Sequence, residues 1–364
     1  MEVQVLSPEV IQDTESAPTP LGAVPTDRID STFGTTCIDL TSSSLDSSIL
    51  AFSDEWFAPA SNLTNPQPPI RRPGYFVPTG AWYDGWETRR HNPEPYDWVI
   101  IKLGVASGKV KGIEVDTAFF DGNHAEAVEV HGCFDVQEDA DAKVVKKDYN
   151  GWRQVLGHRG CGASQRHAWK ADDESEVTHV RLCMFPDGGI ARFRLYGQVV
   201  PVFPTSKEQE VELSSALMGG MVLSGSEEHF GSSKSNLLLP GRGVDMGGGW
   251  ETRRSRDQGH VDWVIVRLGA RGKVQRIVVD TAFYRGNYPQ AMKVDAFDGE
   301  EENPDAEDAR WTEVVGMQRL GPDQEHEYAG KSLSNVDEAA YTHLKMTIVP
   351  DGGVKRFRVF GTRL

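Results

Sequence analysis

Apolar residues along the chain fall into short runs with the two-residue period of β-strands. Clear runs cover residues 98–103, 113–120 and 180–185, and a second set covers 263–268, 277–284 and 344–349. β-branched and aromatic residues are common in these runs, and turn-forming residues separate them. No long stretch keeps its apolar residues on one helical face. The pattern therefore predicts an all-β chain made of antiparallel β-sandwiches.

The runs belong to an internal duplication with an offset of about 164 residues. Gly-Trp-Glu-Thr-Arg-Arg at 85–90 recurs at 249–254, and Pro-Asp-Gly-Gly at 186–189 recurs at 350–353. Shorter matches keep the same order: Asp-Trp-Val-Ile from 97 and 262, Val-Asp-Thr-Ala-Phe from 115 and 279, Gly-Asn from 122 and 286, and Arg-Phe-Arg from 192 and 356. A repeat of this length indicates two duplicated domains, because solenoid repeats run at about 20–50 residues.

Composition along the chain suggests where the domains begin and end. Residues 1–35 are polar and rich in Ser, Thr and Pro, which predicts a disordered tail that can be removed without loss of stability. We expect a first repeat over 36–203, a short polar linker over 204–210 and a second repeat over 211–364. In each repeat Pro-Asp-Gly-Gly lies between two strands, and this predicts a hairpin turn.

Charge and cysteine content narrow the class of function. The net charge of −16 repels phosphate, so neither nucleic acid nor a membrane is expected as a partner. No run approaches the roughly 20 apolar residues of a membrane helix. Four cysteines without a CxxC pair indicate free thiols in a reducing compartment. We expect a cytoplasmic protein, and the final Thr-Arg-Leu, which weakly resembles a peroxisomal tripeptide, leaves a peroxisomal location open.

Polar residues at repeated positions are the candidates for chemistry, because the chain has no P-loop, no HExxH and no GxSxG on a strand-to-helix turn. Glu87, Arg89 and Arg90 could bind a carboxylate and an amide, or they could form a structural ion pair beside a buried Trp. Asp116 and Asp280 lie in apolar runs. Since a buried carboxylate is costly without a partner, each is expected to pair with an arginine or to belong to a site.

His124 is the candidate for proton transfer near neutral pH, and the alternative is a solvated loop histidine. Its counterpart in the second repeat is Tyr288. The duplication thus keeps scaffold residues and changes some polar ones, which is expected if the two copies no longer do identical work. No cofactor is expected. Asp116, His124 and His131 leave a divalent metal open, but their spacing does not require one.

The longest motifs resemble those of the allantoicase family. The likeness extends from about residue 45 to residue 361 and rests on Phe-Ser-Asp-Glu-Trp-Phe-Ala at 52–58, Gly-Ala-Trp-Tyr-Asp-Gly-Trp-Glu-Thr-Arg-Arg-His-Asn at 80–92, Asp-Thr-Ala-Phe-Phe-Asp-Gly-Asn-His-Ala at 116–125, Ser-Gln-Arg-His at 164–167, Asn-Leu-Leu-Leu-Pro-Gly-Arg-Gly at 236–243 and both Pro-Asp-Gly-Gly segments. The resemblance implies two jelly-roll modules of galactose-binding-like type. It also implies hydrolysis of allantoate to ureidoglycolate and urea, with allantoate as the small-molecule partner. The expected assembly is a homo-oligomer.

The chemistry of that reaction suggests roles for the candidate residues. Arg89 or Arg90 would hold the substrate carboxylate, Glu87 and Asn123 would bind urea groups, and His124 with Asp116 would transfer protons. Glu87 is also a candidate for catalysis. The corresponding second-repeat candidates for substrate binding are Glu251, Arg254 and Asn287. A non-catalytic ligand-binding β-sandwich protein is the alternative, because fold does not imply function.

Overall fold

A computed structural model describes the backbone of residues 4–5 and the whole of residues 22–337 and 339–364. The chain divides into two compact units, Met1–Val200 and Pro201–Leu364. Among the described residues, no helix is long and apolar enough to cross a membrane.

The first unit is built mainly of short strands. Its strands are β1 (Gln4–Val5), β2 (Ala23–Val24), β3 (Ile38–Asp39), β4 (Ser48–Phe52), β5 (Ile70–Arg71), β6 (Phe76–Val77), β7 (Gly80–Ala81), β8 (Trp86–Glu87), β9 (Asp97–Lys102), β10 (Gly108–Asp116), β11 (Ala127–Cys133), β12 (Arg153–Gly160), β13 (Arg166–Lys170), β14 (Glu176–Val177), β15 (His179–Phe185), β16 (Gly189–Ile190) and β17 (Arg192–Val199). Its α-helices are α1 (Ile29–Phe33) and α2 (Ala140–Val144), and its 3-10 turns are Thr26–Arg28, Ser43–Leu45 and Ala60–Thr64.

The second unit has strands and 3-10 turns in the part of the chain that the structure describes. Its strands are β18 (Val211–Glu212), β19 (Met221–Gly225), β20 (Trp250–Glu251), β21 (Asp262–Asp280), β22 (Ala291–Phe297), β23 (Thr312–Arg319), β24 (Glu325–Ala329), β25 (Tyr341–Val349), β26 (Gly353–Val354) and β27 (Arg356–Arg363). Its 3-10 turns are Ala216–Met218, Lys234–Leu238, Met246–Gly248 and Gly330–Ser332.

Two antiparallel sheets form the sandwich of the first unit. One has the strand order β2-β13-β10-β17-β3, with β14 also paired to β10, and the other has the order β12-β11-β15-β9-β4. Alternate residues in both sheets are fully buried, including Val99, Ile101, Val180 and Leu182 in one and Ile113, Val115, Phe193 and Leu195 in the other. This alternation places the core between the two sheets.

The second unit repeats this arrangement with one long strand in place of two. β21 pairs with β25 over Asp262–Arg267 and with β27 over Gly272–Asp280, and the register shifts between these parts. It therefore joins both sheets of the sandwich, as β9 and β10 do separately in the first unit. The all-β prediction of two antiparallel sandwiches is confirmed. Trp86 and Trp250 are fully buried and begin equivalent short strands, as expected.

Two expectations from the sequence are wrong. The disordered tail was expected to reach residue 35, but β2 pairs with β13, and Ile29 and Phe33 of α1 are buried. Two apolar residues four apart suffice to bury one side of this short helix. The rest of the expected tail lies outside the described residues, apart from β1. The Pro-Asp-Gly-Gly segments are not hairpins either. β15 and β17 lie in different sheets, and β25 and β27 pair with different parts of β21 and not with each other.

The first of the two glycines that end each Pro-Asp-Gly-Gly segment has a backbone conformation that requires glycine. Gly188 has φ 132° and Gly352 has φ 135°, values that side chains with a Cβ rarely adopt. A Cβ on Gly188 would lie 2.7 Å from the carbonyl oxygen of Asn123. Glycine is therefore needed for the segment to pass close to the Gly122–Asn123 loop.

The four cysteines, Cys37, Cys133, Cys161 and Cys183, are all free thiols in the first unit. Cys161 is partly buried and the other three are buried.

Candidate active site

The first repeat gathers Glu87, Asn123 and His124 at one end of its sandwich. Glu87 of β8 is opposite Gly189 of β16, and a backbone bridge joins His124 to the same glycine. Asn123 Nδ2 donates a hydrogen bond to Glu87 Oε1 at 2.5 Å. Burial raises the pKa of Glu87, while the Asn123 hydrogen bond and the charge of Arg90 oppose that rise. Glu87 is thus a buried carboxylate with a fixed amide partner.

The second repeat builds the same carboxylate–amide pair. Glu251 of β20 faces Gly353 of β26, and Asn287 Nδ2 donates to Glu251 Oε1 at 2.6 Å. The duplication therefore preserves the pair itself, while the group next to it differs, since Tyr288 stands in the place of His124.

The two arginines of the first motif have partners of their own. Arg90 Nε lies 3.1 Å from Asp187 Oδ1, and the Asp187 side chain is only 4% exposed. Arg89 Nη2 lies 3.1 Å from Asp54 Oδ1, and its guanidinium lies 5.2 Å from the Trp56 ring centre. Arg89 is 65% exposed, whereas Arg90 is near enough to lower the pKa of Glu87. Arg90 is thus the arginine that the fold brings to the Glu87–Asn123 pair.

Arg254, the counterpart of Arg90, has different contacts. Its Nη2 donates to the carbonyl oxygen of Gly286 at 3.2 Å, and no carboxylate in residues 22–337 or 339–364 lies within ion-pair distance. Asp351, the counterpart of Asp187, accepts a hydrogen bond from the Ser255 backbone instead.

His124 has a ring nitrogen without a partner. Its Nδ1 is buried and makes no hydrogen bond within the described structure. The ring lies near His167, because a charge on His124 lowers the pKa of His167, although burial is the larger cause. His167 Nε2 is itself 3.0 Å from the Gly162 backbone nitrogen. A buried, unpartnered imidazole nitrogen is uncommon and is suited to exchange of a proton with a bound molecule.

Asp116 lies at the end of β10, with 6% of its surface exposed. Its Oδ1 accepts a hydrogen bond from the Ala118 backbone at 2.8 Å. Arg166 and Arg192 are its strand neighbours, but Arg166 binds Glu114 and Arg192 binds Asp84. Burial raises the pKa of Asp116 to about 6, against the Ala118 hydrogen bond.

Asp116 is not in direct contact with the Glu87 cluster. No described hydrogen bond joins its carboxylate to Glu87, Asn123 or His124. Its backbone oxygen accepts from the Ala191 nitrogen, and Ala191 follows the β16 strand that holds Glu87. The structure therefore gathers Glu87, Arg90, Asn123 and His124, and leaves Asp116 on the adjoining strand end and Arg89 at the surface.

The family of the chain follows from sequence comparison. The model of the allantoicase repeat matches residues 38–200 and again residues 211–364. The chain belongs to the allantoicase family. Allantoicase of Neurospora crassa is 55% identical over 347 residues, which cover 94% of this chain and 96% of the relative. Allantoicase of Saccharomyces cerevisiae is 47% identical over 329 residues, which cover 89% and 93%.

A solved structure of the family shares the fold of this chain. The crystal structure of allantoicase from Saccharomyces cerevisiae superposes with a TM-score of 0.78 at 44% identity, and covers 90% of this chain and 93% of its own. The family predicted from the sequence motifs is thereby confirmed.

The second allantoicase repeat neutralises its aspartate differently from the first. Arg242 binds Asp280 with both nitrogens, Nε to Oδ2 at 2.7 Å and Nη2 to Oδ1 at 2.8 Å. The sequence left open whether each aspartate pairs with an arginine. Asp280 does so, and Asp116 does not. Arg242 was missed as a partner because 38 residues separate it from Asp280.

Lys355 is a second residue of this allantoicase repeat that sequence reasoning missed. It is fully buried, and its ammonium lies 5.4 Å from the Phe283 ring centre and donates to the Asp245 carbonyl oxygen. Burial lowers its pKa to about 8. The signal was present in the sequence, because the offset of the duplication aligns Lys355 with Ala191.

A metal centre is not apparent in the described ranges of either allantoicase repeat. No group of three or more His, Cys, Asp or Glu side chains there is arranged to hold a metal ion. The expectation that the reaction needs no cofactor stays a prediction.

Proposed function

We propose that the chain hydrolyses allantoate to ureidoglycolate and urea, and that the first repeat carries the reacting groups. Membership of the allantoicase family supports the reaction. The observation that supports the first repeat is the buried Nδ1 of His124 without a partner, at the position where the second repeat has Tyr288.

The reaction defines what the protein must supply. One bond between the central carbon and a urea nitrogen breaks, and one bond from that carbon to a water oxygen forms. The departing urea nitrogen gains a proton, and the water loses one. A group that donates a proton and a group that accepts one are therefore required, whether water attacks directly or after the urea has left.

Glu87 and His124 meet these needs best among the described residues of the first repeat. Burial raises the pKa of Glu87, which favours its protonated form and suits a carboxyl that exchanges protons. His124 presents a buried nitrogen without a partner. Asn123 is fixed by Glu87 and retains its carbonyl oxygen to accept a urea N–H. Arg90 supplies positive charge for the substrate carboxylate, and Asp187 orients it.

The decisive experiment is release of urea from allantoate by the purified chain. Turnover with allantoate is expected. No turnover is expected with the cyclised form of allantoate, because ring closure removes the free carboxylate. The single variants His124→Ala and Tyr288→Phe are the matched controls that assign turnover to a repeat. Absence of urea release by a folded protein would leave ligand binding as the function.

We also propose a homo-oligomer in the cytoplasm. Large apolar side chains that are exposed in the single chain support association, among them Trp56 at 54%, Phe76 at 69%, Phe230 at 69% and Val244 at 88%. The four free thiols support a reducing compartment. Light scattering coupled to size-exclusion chromatography tests the assembly, and a monomer at micromolar concentration would exclude it.

A further inference from the structure

The first unit contains a cavity of about 810 Å³ on the outer face of the sheet that contains β9 and β15. The segments 89–98 and 144–152 form much of its wall, and Arg181 of β15 forms part of its base. Arg90 lies in its wall, whereas Glu87, Asn123 and His124 do not line it. The volume lies within the range of small-molecule binding sites.

The lining is positively charged although the protein is acidic. Five basic side chains face three carboxylates, and the basic ones are Arg89, Arg90, Lys146, Lys147 and Arg181. Arg89 and Arg90 have carboxylate partners, whereas no carboxylate in the described ranges lies within ion-pair distance of Lys146, Lys147 or Arg181. The net charge of the whole chain is −16, so this local excess of positive charge is unusual.

Arg181 is one of the basic side chains that line the cavity. Its Nε is buried and makes no hydrogen bond in the described structure, and its guanidinium lies 5.2 Å from the Trp152 ring centre. A guanidinium whose buried Nε has no acceptor costs free energy, and a bound carboxylate reduces that cost by accepting hydrogen bonds from it. Trp98 and Tyr96 add aromatic surface to the same wall.

In the second repeat, the protein itself supplies a hydrogen-bond acceptor for the cation at the corresponding position. Lys345 stands at the position of Arg181, and Trp311 at that of Trp152. Lys345 Nζ donates to the Ala306 carbonyl oxygen at 2.6 Å and lies 5.1 Å from the Trp311 ring centre. Ala306 belongs to the acidic segment 300–308. The same cation–aromatic pair is thus satisfied by the chain in one repeat and open to the cavity in the other.

We propose that this cavity binds a small organic carboxylate with a flat apolar portion at Arg181, a position distinct from the Arg90 position proposed for the allantoate carboxylate. The carboxylate binds the Arg181 guanidinium, and the flat portion contacts the aromatic wall. Lys146 and Lys147 attract the anion at the entrance.

Calorimetric titration of the full chain with benzoate and with its neutral isostere benzamide tests the proposal. Benzoate is expected to bind at least about tenfold more tightly than benzamide, because only benzoate pairs with Arg181. Arg181→Met is expected to weaken benzoate binding at least about tenfold, and the matched variant Lys345→Met is expected to leave it unchanged. The exposed double variant Lys146→Gln with Lys147→Gln is expected to weaken it about threefold and guards against misfolding of Arg181→Met.

Urea release in the same variants separates this site from the hydrolytic one. Folded Arg181→Met is expected to retain kcat and KM for allantoate within about twofold, and benzoate is not expected to compete with allantoate. Equal binding of benzoate and benzamide, or unchanged benzoate binding by Arg181→Met, would overturn the carboxylate site. Strict competition, or loss of urea release in folded Arg181→Met, would overturn its separateness. The benzoate titrations test the carboxylate site whether or not the chain releases urea from allantoate.

Discussion

Asp116 and Asp280 occupy the same position in the two repeats but differ in their neighbours. Asp280 is held by both nitrogens of Arg242, while Asp116 has a backbone hydrogen bond and a pKa raised to about 6 by burial. Two carboxylates of common origin therefore have opposite effects on stability at neutral pH. One is stabilised by its partner, and the other is ionised at a cost.

Asp116→Asn is expected to stabilise the protein at pH 7. The folded pKa of Asp116, about 6, lies above the ordinary 3.8, so its contribution to stability is full below about pH 4 and is lost as pH rises to about 6. The cost above pH 6 is about 1–3 kcal/mol, and Asn avoids it while its oxygen still accepts from Ala118.

Unfolding in guanidinium chloride at pH 4 and pH 7 measures this effect. The stabilisation by Asp116→Asn should be present at pH 7 and absent at pH 4. Asp280→Asn is the matched control, and it should destabilise at pH 7 because it removes the closer of the two carboxylates that pair with Arg242. A destabilised Asp116→Asn at pH 7 contradicts the account of its burial.

His124→Ala is expected to lower kcat for urea release by at least about 10²-fold with the fold intact, since general acid–base assistance is worth about 10²–10⁴-fold. Its matched variant Tyr288→Phe is expected to cost less than about tenfold, because the second repeat has no histidine at this position. Steady-state kinetics on both variants give the comparison. Equal losses would mean two working sites or one site built from both repeats, and a fully active His124→Ala would leave Glu87 and Asp116 as the candidates.

Arg90→Ala is expected to raise KM at least about tenfold with little change in kcat, if Arg90 holds the substrate carboxylate equally in ground and transition states. Arg254→Ala, its counterpart without an ion-pair partner in the described residues, is expected to change KM less than about threefold. The same kinetic assay measures both. A larger effect of Arg254→Ala would move substrate binding to the second repeat.

At the scale of elements, the segment before the first repeat is part of the sandwich from residue 22 onward. Phe33 of α1 is 3% exposed and stacks on Tyr196, with ring centres 4.7 Å apart. A Cβ on Gly112 of β10 would lie 2.2 Å from Phe33 Cζ, so the missing side chain makes room for the ring. The helix therefore fits a groove shaped for it in the sheet.

Phe33→Ala is expected to lower the free energy of unfolding by about 3–5 kcal/mol, through lost burial and the cavity left against the sheet. Ser31→Ala, on the exposed side of the same helix, is expected to change it by less than about 0.5 kcal/mol. Chemical denaturation of both variants gives the difference. A Phe33→Ala protein as stable as Ser31→Ala would mean that α1 is not anchored.

The sequence predicted the strands well, because alternation is a local signal: the run 98–103 corresponds to β9, Asp97–Lys102. The hairpin at Pro-Asp-Gly-Gly was wrong, because distant strands decide where the chain goes after the turn, here through the pairing of Gly189 with Glu87. The Glu87–Asn123 hydrogen bond also depends on the pairing of distant strands. Both residues were predicted at the site, but their contact depends on a register that no local pattern records.

At the scale of the whole molecule, the duplication allows each residue of the first repeat to be compared with its counterpart in the second. The family and the hydrolytic function were predicted from motifs of four to thirteen residues. The contacts that distinguish the two repeats were not predicted, because Arg242 and Lys355 bind residues that are distant in sequence.

The charge of −16 is expected to slow the approach of anionic allantoate at low salt. The screening length falls from about 30 Å at 0.01 M to about 8 Å at 0.15 M ionic strength, so kcat/KM is expected to rise about twofold over this range. Kinetics in sodium chloride of increasing concentration measure it. A fall in kcat/KM would show that the local arginines outweigh the repulsion of the whole protein.

The four unpaired cysteines are poorly reactive thiols. Burial raises the pKa of Cys133 to about 11 and those of Cys161 and Cys183 to about 12, and it raises the pKa of Cys37 as well. Only the thiolate attacks alkylating reagents and peroxide at a useful rate, and at neutral pH these thiols are almost wholly protonated. Thiol chemistry therefore offers oxidants no easy way to inactivate the protein, although it carries four free sulfhydryl groups.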